Sequence, residues 1–481
     1  DIQSYVNASG TIQGALNVEA LANVYNTIDA EASAEGALLG DYASVLNIDL
    51  KQELKSQIKG KSTPLSSLAG KLAGKLGNNP GTSLSSGLLT KKDISTPDQA
   101  TQEKGKTQKG KEVSIAAAVA YMNLKHGVYA SVVGNNLNVG SLKVEASNHS
   151  NYKIKAVGNS ESNGKSASLG IGLILSENRT QASLGGILTS NGNIEINSIY
   201  MQNYDPNYIN DLAIEVYTTA KAKSDKGTKQ SNAITVSGAG VYLESNDQTT
   251  AKIDSNATIK ASNISINALE KSKYAIRAWA FDKSEENNSK GVGIAFAMLN
   301  INGNVLSYVD DGSSIIANDL SLSSLKPDVD EQKFELNLDF SGFKGDIENL
   351  NLEGLKDNVI NNLLKFTKVF SMHNYYIDVI GGGSTENGGL VATGSAGVLT
   401  FKDKMKSYIG KDVTLNLSGK LTLNANNDTS ILMISGALSK GGKASIGLNT
   451  LVYINENEVS TYIDERSTIN ASSTEMKSSD N

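Results

Sequence analysis

The chain of 481 residues contains no cysteine. That excludes disulfide staples, thiolate-ligated zinc, iron–sulfur clusters and a thiol nucleophile. Arginine is almost as scarce, with only Arg179, Arg277 and Arg466. Bidentate recognition of phosphate relies on that side chain, so no nucleic-acid partner is expected. The three histidines, His126, His149 and His373, are far apart and sit in polar, turn-like stretches ("LKHG", "SNHS", "SMHN"). They read as exposed loop imidazoles rather than a catalytic or metal-binding set, and no catalytic residue, metal or cofactor is expected. Long apolar runs are missing too: the longest, from Ile115 to Met122, is far too short to span a bilayer. No signal peptide opens the chain. It begins with "DIQSYVN", already strand-like, which suggests a piece of a larger protein. At this length, several domains or a repeat array are expected.

What is present is a repeat with strand periodicity. A hexapeptide reads "ALNVEA" at 15–20, "SLKVEA" at 141–146, "NIEINS" at 193–198, "NISINA" at 263–268, "DLSLSS" at 319–324 and "KLTLNA" at 420–425. Positions two and four are aliphatic, position six is small and position five is always polar. Alternation of this kind places the aliphatic side chains on one face of a strand and the polar ones on the other. Roughly ten residues earlier in each unit comes an aliphatic anchor: Val6, Val133, Leu184, Ile253, Val309, Ile409 and, once more, Ile463. The anchors are separated by 127, 51, 69, 56, 100 and 54 residues.

Before most anchors runs a Gly/Ala-rich apolar stretch, such as "SIAAAVAYM" at 114, "ITVSGAGVYL" at 234 or "GVGIAFAML" at 291. The run at 114–122 could be helical, but its equivalents hold Gly and β-branched residues, so it reads as strand. Each unit is then about four short strands joined by Asn-, Ser- and Gly-rich turns. All five prolines, Pro64, Pro80, Pro97, Pro206 and Pro327, fall outside the repeated strands, as residues without an N–H must. They fall within the three spacings that exceed the basic 51–56, which places insertions near 47–112, 200–211 and 326–388.

One unit holds too few aliphatic residues to offset the entropy of ordering its chain, so units must stack. The fold expected is all-β: a right-handed parallel β-helix, or solenoid, with two or three coils per unit and two helix-containing insertions. Its repeats would occupy 1–46, 113–325 and 389–481. A β-propeller would use shorter blades and close in a ring, and tandem sandwiches would need roughly 100 residues each.

The order of a Gly/Ala-rich strand, then "AKIDSNATIKA", then "NISINA" over residues 251–268 resembles the repeats of filamentous-haemagglutinin-type proteins, most of all the fusobacterial leukotoxin-type filamentous adhesins. The resemblance covers most of the chain except the two long insertions. It implies a long β-helical fibre, type V secretion through a partner outer-membrane transporter barrel, location in the medium or on the bacterial surface, and contact with host cells. The amino-terminal secretion domain of the family is not seen here, and the chain ends within a repeat.

The long insertions are the candidates for specific contact, because a solenoid supplies a shaft and binding resides in what protrudes. In the first, Thr63 can cap a helix, Pro64 suits its first turn, and Leu65, Leu68, Leu72 and Leu76 form an apolar stripe beside Lys71 and Lys75. Residues 51–112 hold 12 lysines against 5 acids, net +7. This basic arm reads either as a contact for an anionic host membrane or glycan, or as a helix docked on the solenoid with its lysines in water. The second insertion, with 6 bases and 11 acids, carries Leu352, Leu355, Val359, Leu363, Phe366 and Phe370 at helical spacing. It too reads as a cover for the solenoid flank or as a receptor-binding face. "IGGGSTENGG" at 380–389 reads as a flexible return loop.

β-Helices also carry polysaccharide lyases and hydrolases, whose sites need clustered acids on neighbouring coils. The candidates are Asp310 with Asp311, and Asp328, Asp330 and Glu331; both groups read as solvated turn acids. The function expected is therefore a structural and binding segment of a secreted adhesin or leukotoxin that meets the host surface (protein, glycan or membrane), not an enzyme. The alternative is a β-helical carbohydrate-active enzyme.

Overall fold

The computed structural model describes residues 1–35, 113–162, 164–205, 212–222, 233–284, 288–328, 373–385 and 389–480. These belong to one unit, Asp1–Gly36 with Ser114–Asn481; residues Ala37–Val113 form a second, which apart from Val113 lies outside the described residues. Among the described residues every regular element is a strand.

The strands join one sheet of parallel pairings that coils on itself. The first coil is β1 (Ile2–Glu35) and the second β2 (Val113–Ser162). The third comprises β3 (Lys165–Ser190), β4 (Ile194–Gln202) and β5 (Ile214–Ala222). The fourth comprises β6 (Ile234–Ile253), β7 (Thr258–Lys260), β8 (Asn263–Ser272) and β9 (Tyr274–Ser284). The fifth holds β10 (Lys290–Val309), β11 (Ser314–Ala317), β12 (Asp319–Lys326) and β13 (Tyr375–Thr385). The sixth runs from β14 (Leu390–Phe401) through β15 (Lys404–Ile409), β16 (Thr414–Leu417) and β17 (Lys420–Asn427) to β18 (Ile431–Lys440). The last holds β19 (Ala444–Asn455), β20 (Glu458–Ile463), β21 (Thr468–Asn470) and β22 (Ser473–Asp480).

Each strand pairs with its counterpart one unit away: Ile234 with Lys290, Lys290 with Leu390, Leu390 with Ala444. A unit of 51–56 residues is thus a single wide coil, not the two or three narrow coils expected. All six hexapeptides lie in register, Leu16 beside Leu142, then Ile194, Ile264, Leu320 and Leu421. One anchor differs from expectation: Val6 lies opposite Val132, not Val133. A slip of one residue reverses side-chain direction, and Val132 is the buried one.

The coil corner is built the same way each time. Asn136, Gly186, Asn256, Gly312, Asp412 and Arg466 all have positive φ, between 55° and 78°. Gly and Asn tolerate that conformation best. Arg466 is held there by two bonds to Asp412, Nε to Oδ1 at 2.7 Å and one terminal nitrogen to Oδ2 at 2.8 Å. Like residues also stack along the coils. Tyr308, Tyr408 and Tyr462 have ring centroids 4.7 and 4.9 Å apart. The Asn267 amide donates to Asn197 at 3.0 Å, and Asn470 to Asn416 at 2.9 Å.

The Gly/Ala-rich stretches are strands, as expected for 114–122. Their small residues let opposite walls approach. A Cβ on Gly172 would lie 2.6 Å from Ile214 Cγ2, and one on Gly170 2.6 Å from Val216 Cγ1. The stretch expected as a flexible loop at 380–389 is instead largely β13, paired with β9 through Thr385 and with β18 through Ser384. A Cβ would meet the Gly394 and Gly293 carbonyls at Gly381, the Phe281 ring at Gly382, and the Asp282 carboxylate and Val391 at Gly383, which leaves no space for side chains. The helix-bearing parts of both insertions lie outside the described residues.

Candidate functional site

None of the residues expected to contact a partner (Leu65, Leu68, Lys71, Leu72, Lys75, Leu76, Leu352, Leu355, Val359, Leu363, Phe366, Phe370) lies among the described residues. The acids weighed as a catalytic cluster are occupied by turns. Asp310 Oδ1 accepts from the Asp311 N–H at 3.0 Å, and Asp311 Oδ1 from the Lys411 N–H at 2.7 Å. Asp328 accepts from the Ser430 hydroxyl at 2.6 Å, and Asp330 and Glu331 lie outside the described residues. Two of the three histidines are not loop residues as expected: His126 and His149 lie within β2, whereas His373 lies in the loop before β13, and all three are half-buried rather than exposed. Burial lowers the pKa of each. Among the described residues, no three His, Asp or Glu side chains are grouped to hold a metal ion.

The concentrated chemistry is inside the coils. Each coil is a long strand facing a return made of the hexapeptide strand and the strand after it, and it encloses two separate apolar columns. One lies between the hexapeptide strands and the second half of the long strands, with Ile253, Ile264, Val309, Leu320 and Leu421. The other lies between the first half of the long strands and β5, β9 and β13, with Val241, Ile276, Leu299 and Ile377.

A buried polar seam separates the columns. On the long-strand wall it runs Asn178, Asp247, Gly303 and Asp403 in register. On the facing wall it runs Tyr200, Glu270, Lys326 and Asn427. Lys326 Nζ contacts Glu270 Oε1 at 2.9 Å and Asp403 Oδ2 at 2.7 Å, and all three side chains are fully buried. Gly303 makes room for this ammonium: a Cβ there would lie 3.3 Å from Nζ and 2.7 Å from Asp403 Oδ1. The Gly303 N–H donates to the same Oδ1 at 2.6 Å. Burial opposes the lysine charge, but Asp403 and Glu270 outweigh it and hold the pKa well above the ordinary lysine value. Burial raises the Asp403 pKa, and Lys326 counters only part of that.

One coil away, Asp247 has no lysine. It accepts from Asn178 at 2.7 Å, Ser245 at 2.6 Å and the Tyr274 hydroxyl at 2.9 Å. Burial first, and Glu270 second, push its pKa up to about 7.

A second ionic column lies on the other face of β9. Arg277 stands in register between Glu215 and Asp378. Its Nε is 3.1 Å from Asp378 Oδ2, and its guanidinium lies 4.0 Å over the Trp279 ring. Both faces of β9 and β13 are buried.

Sequence reasoning missed the seam. Its signal is parity: Glu270, Lys326 and Asn427 keep the two-residue step of the buried aliphatic residues before them in the hexapeptides. No protein-family model, curated protein or solved structure matches this chain.

Proposed function

We propose that the chain is a shaft segment of a secreted bacterial adhesin or leukotoxin of the filamentous-haemagglutinin-like type, a right-handed β-helix that presents its insertions to host cells. The handedness follows from the twist of parallel strands joined by crossovers. One observation carries the reading: coils of about 56 residues repeat in register although two of the spacings, Lys290 to Leu390 and Ile2 to Val128, are stretched by insertions to 100 and 126 residues. Such a stack serves as a spacer that tolerates whatever is inserted in it. Among the described residues the fully buried ionic clusters face inward, away from any substrate, and the outer acids Asp310, Asp311 and Asp328 are bound in turns.

Secretion would proceed through an outer-membrane transporter barrel, and cell contact would be made by the basic insertion 47–112 and the acidic insertion 326–388. The test is binding of the labelled full chain to leukocytes and to liposomes, beside a variant lacking 51–112. Strong leukocyte binding that falls on deletion supports the basic arm, and binding unchanged by deletion removes that arm from the proposal. No binding to any host cell, together with cleavage of a polysaccharide, would replace the adhesin reading with the enzyme.

A further inference from the structure

We propose that the outer face of β9 and β13 is the seat of the acidic insertion: residues 329–372 lie across it and bury their apolar stripe there. The proposal is independent of the adhesin reading, because it concerns how the chain covers itself. The residues of β9 and β13 that point away from the two apolar columns include Ala275, Trp279, Phe281, Tyr376 and Ile380, all buried. Trp279 is 2% exposed. Among the described residues β9 is flanked by β5 and β13 and faced on its inner side by β6 and β10, and no other strand packs against it. A parallel sheet buried on both faces needs a second layer over each. The cover is centred on these two strands. In register with Arg277 and Trp279, Glu215 and Tyr217 on β5 are half-buried, and Lys155 on β2 is exposed.

The chain between Asp328 and His373 leaves and returns at the edge of this face. The Ser430 hydroxyl lies 2.6 Å from Asp328 Oδ1 and 3.3 Å from Asn374 Oδ1, and the Asn374 amide donates to the Ser272 carbonyl at 3.1 Å. Both ends are thus pinned beside Tyr375, where β13 begins. Between them, the stripe from Leu352 to Phe370 recurs at helical spacing. β9 and β13, 11 residues each, are about 36 Å long and together ~10 Å wide. A helix over 352–370 would be about 28 Å long and ~10 Å across, so it covers both strands and little of β5. Charge agrees with this occupant. The face carries Arg277, Lys221 and Lys283 against Glu215 and Asp378, and residues 329–372 carry 8 acids against 5 lysines. The basic arm at 51–112 has the opposite sign. With the stripe occupied by the shaft, the acidic side of the insertion is what remains for a partner.

Trp279 is the single tryptophan of the chain, so its fluorescence reads the cover directly. The experiment is acrylamide quenching of the full chain and of a variant in which a short Gly-Ser link joins Asp328 to His373. Removing 329–372 should shift the Trp279 emission to the red and raise the quenching constant several-fold, while circular dichroism keeps its strand signal. Leu363→Asp, which charges the stripe, should expose Trp279 in the same way without any deletion. Asn361→Asp, on the opposite side of such a helix, should leave it protected. If the deletion unfolds the stack, Leu363→Asp alone decides. The proposal is overturned if Trp279 in a folded deletion variant stays as protected as in the wild type, or if Leu363→Asp leaves quenching unchanged. It is overturned too if deleting 51–112, or simple dilution, exposes Trp279 instead, since the cover would then be the basic arm or a second copy.

Discussion

Lys326 and Asp403 are 77 residues apart in sequence, yet their charged groups meet at 2.7 Å with neither side chain exposed. The same ammonium reaches Glu270 on the other side at 2.9 Å, so one lysine links the fourth, fifth and sixth coils. A buried charge stripped of its partner costs far more than the pair contributes. Lys326→Met is therefore expected to destabilise the stack by about 3–5 kcal/mol, because two carboxylates are left without a counter-charge. The combined variant Lys326→Met, Glu270→Gln, Asp403→Asn should recover most of that loss. Urea titration followed by circular dichroism checks both, and a single variant as stable as the wild type would rule out the seam as a structural element.

Asp247 supplies a pH dependence of known sign. Its folded pKa, about 7, lies above the ordinary aspartate value, so the folded chain binds a proton that the unfolded chain has lost. Raising the pH from about 4 to about 7 must then remove stability, by up to a few kcal/mol from this group. Asp403 acts in the same direction. Asp247→Asn should melt at the same temperature as the wild type near pH 4 and higher above pH 7. The amide also has a partner ready, since Asn178 Oδ1 has no hydrogen bond and stacked asparagine amides already join coils elsewhere. Melting curves from pH 4 to 9 that run parallel for the two proteins would show that Asp247 titrates normally.

How far the sequence discloses this fold depends on which side chains mark it. The hexapeptides align residue for residue because the aliphatic residues at positions two and four pack into the same core in all six, with only Leu16 partly buried. The spacing was legible but its meaning was not. A period of 51–56 fixes how far apart equivalent strands lie, yet says nothing about how many turns the intervening chain makes. That number emerges only from pairings such as Ile253 with Val309. "SVV" at 131–133 offers two valines of opposite direction, and composition cannot choose between them. Glu270 and Lys326 went unnoticed because charged residues in a strand ordinarily face water, and their partners come from other coils. The glycines of β13 misled for a related reason: a Gly run signals a free loop unless a facing wall, here the Phe281 ring and the Gly394 carbonyl, requires that nothing project.

Gly293 puts that last point to the test. It lies on the inner side of β10, where a Cβ would collide with the Gly382 carbonyl and lie 3.2 Å from the Ala280 oxygen. Both obstacles are backbone held in the sheet, so neither can rotate away as a side-chain tip would. Gly293→Ala must push the walls apart and should cost about 1–3 kcal/mol, the range for overpacking a close-packed interior. Gly240→Ala on the outer side of the neighbouring strand β6 provides the control. It meets open space at a tolerated φ and should change stability by no more than about 0.5 kcal/mol, in the stabilising direction if at all. Intrinsic strand preference would favour both substitutions alike, so only the distance between the walls predicts opposite outcomes. Equal urea midpoints for the two variants would mean that the coil is wider at this level than its backbone contacts require.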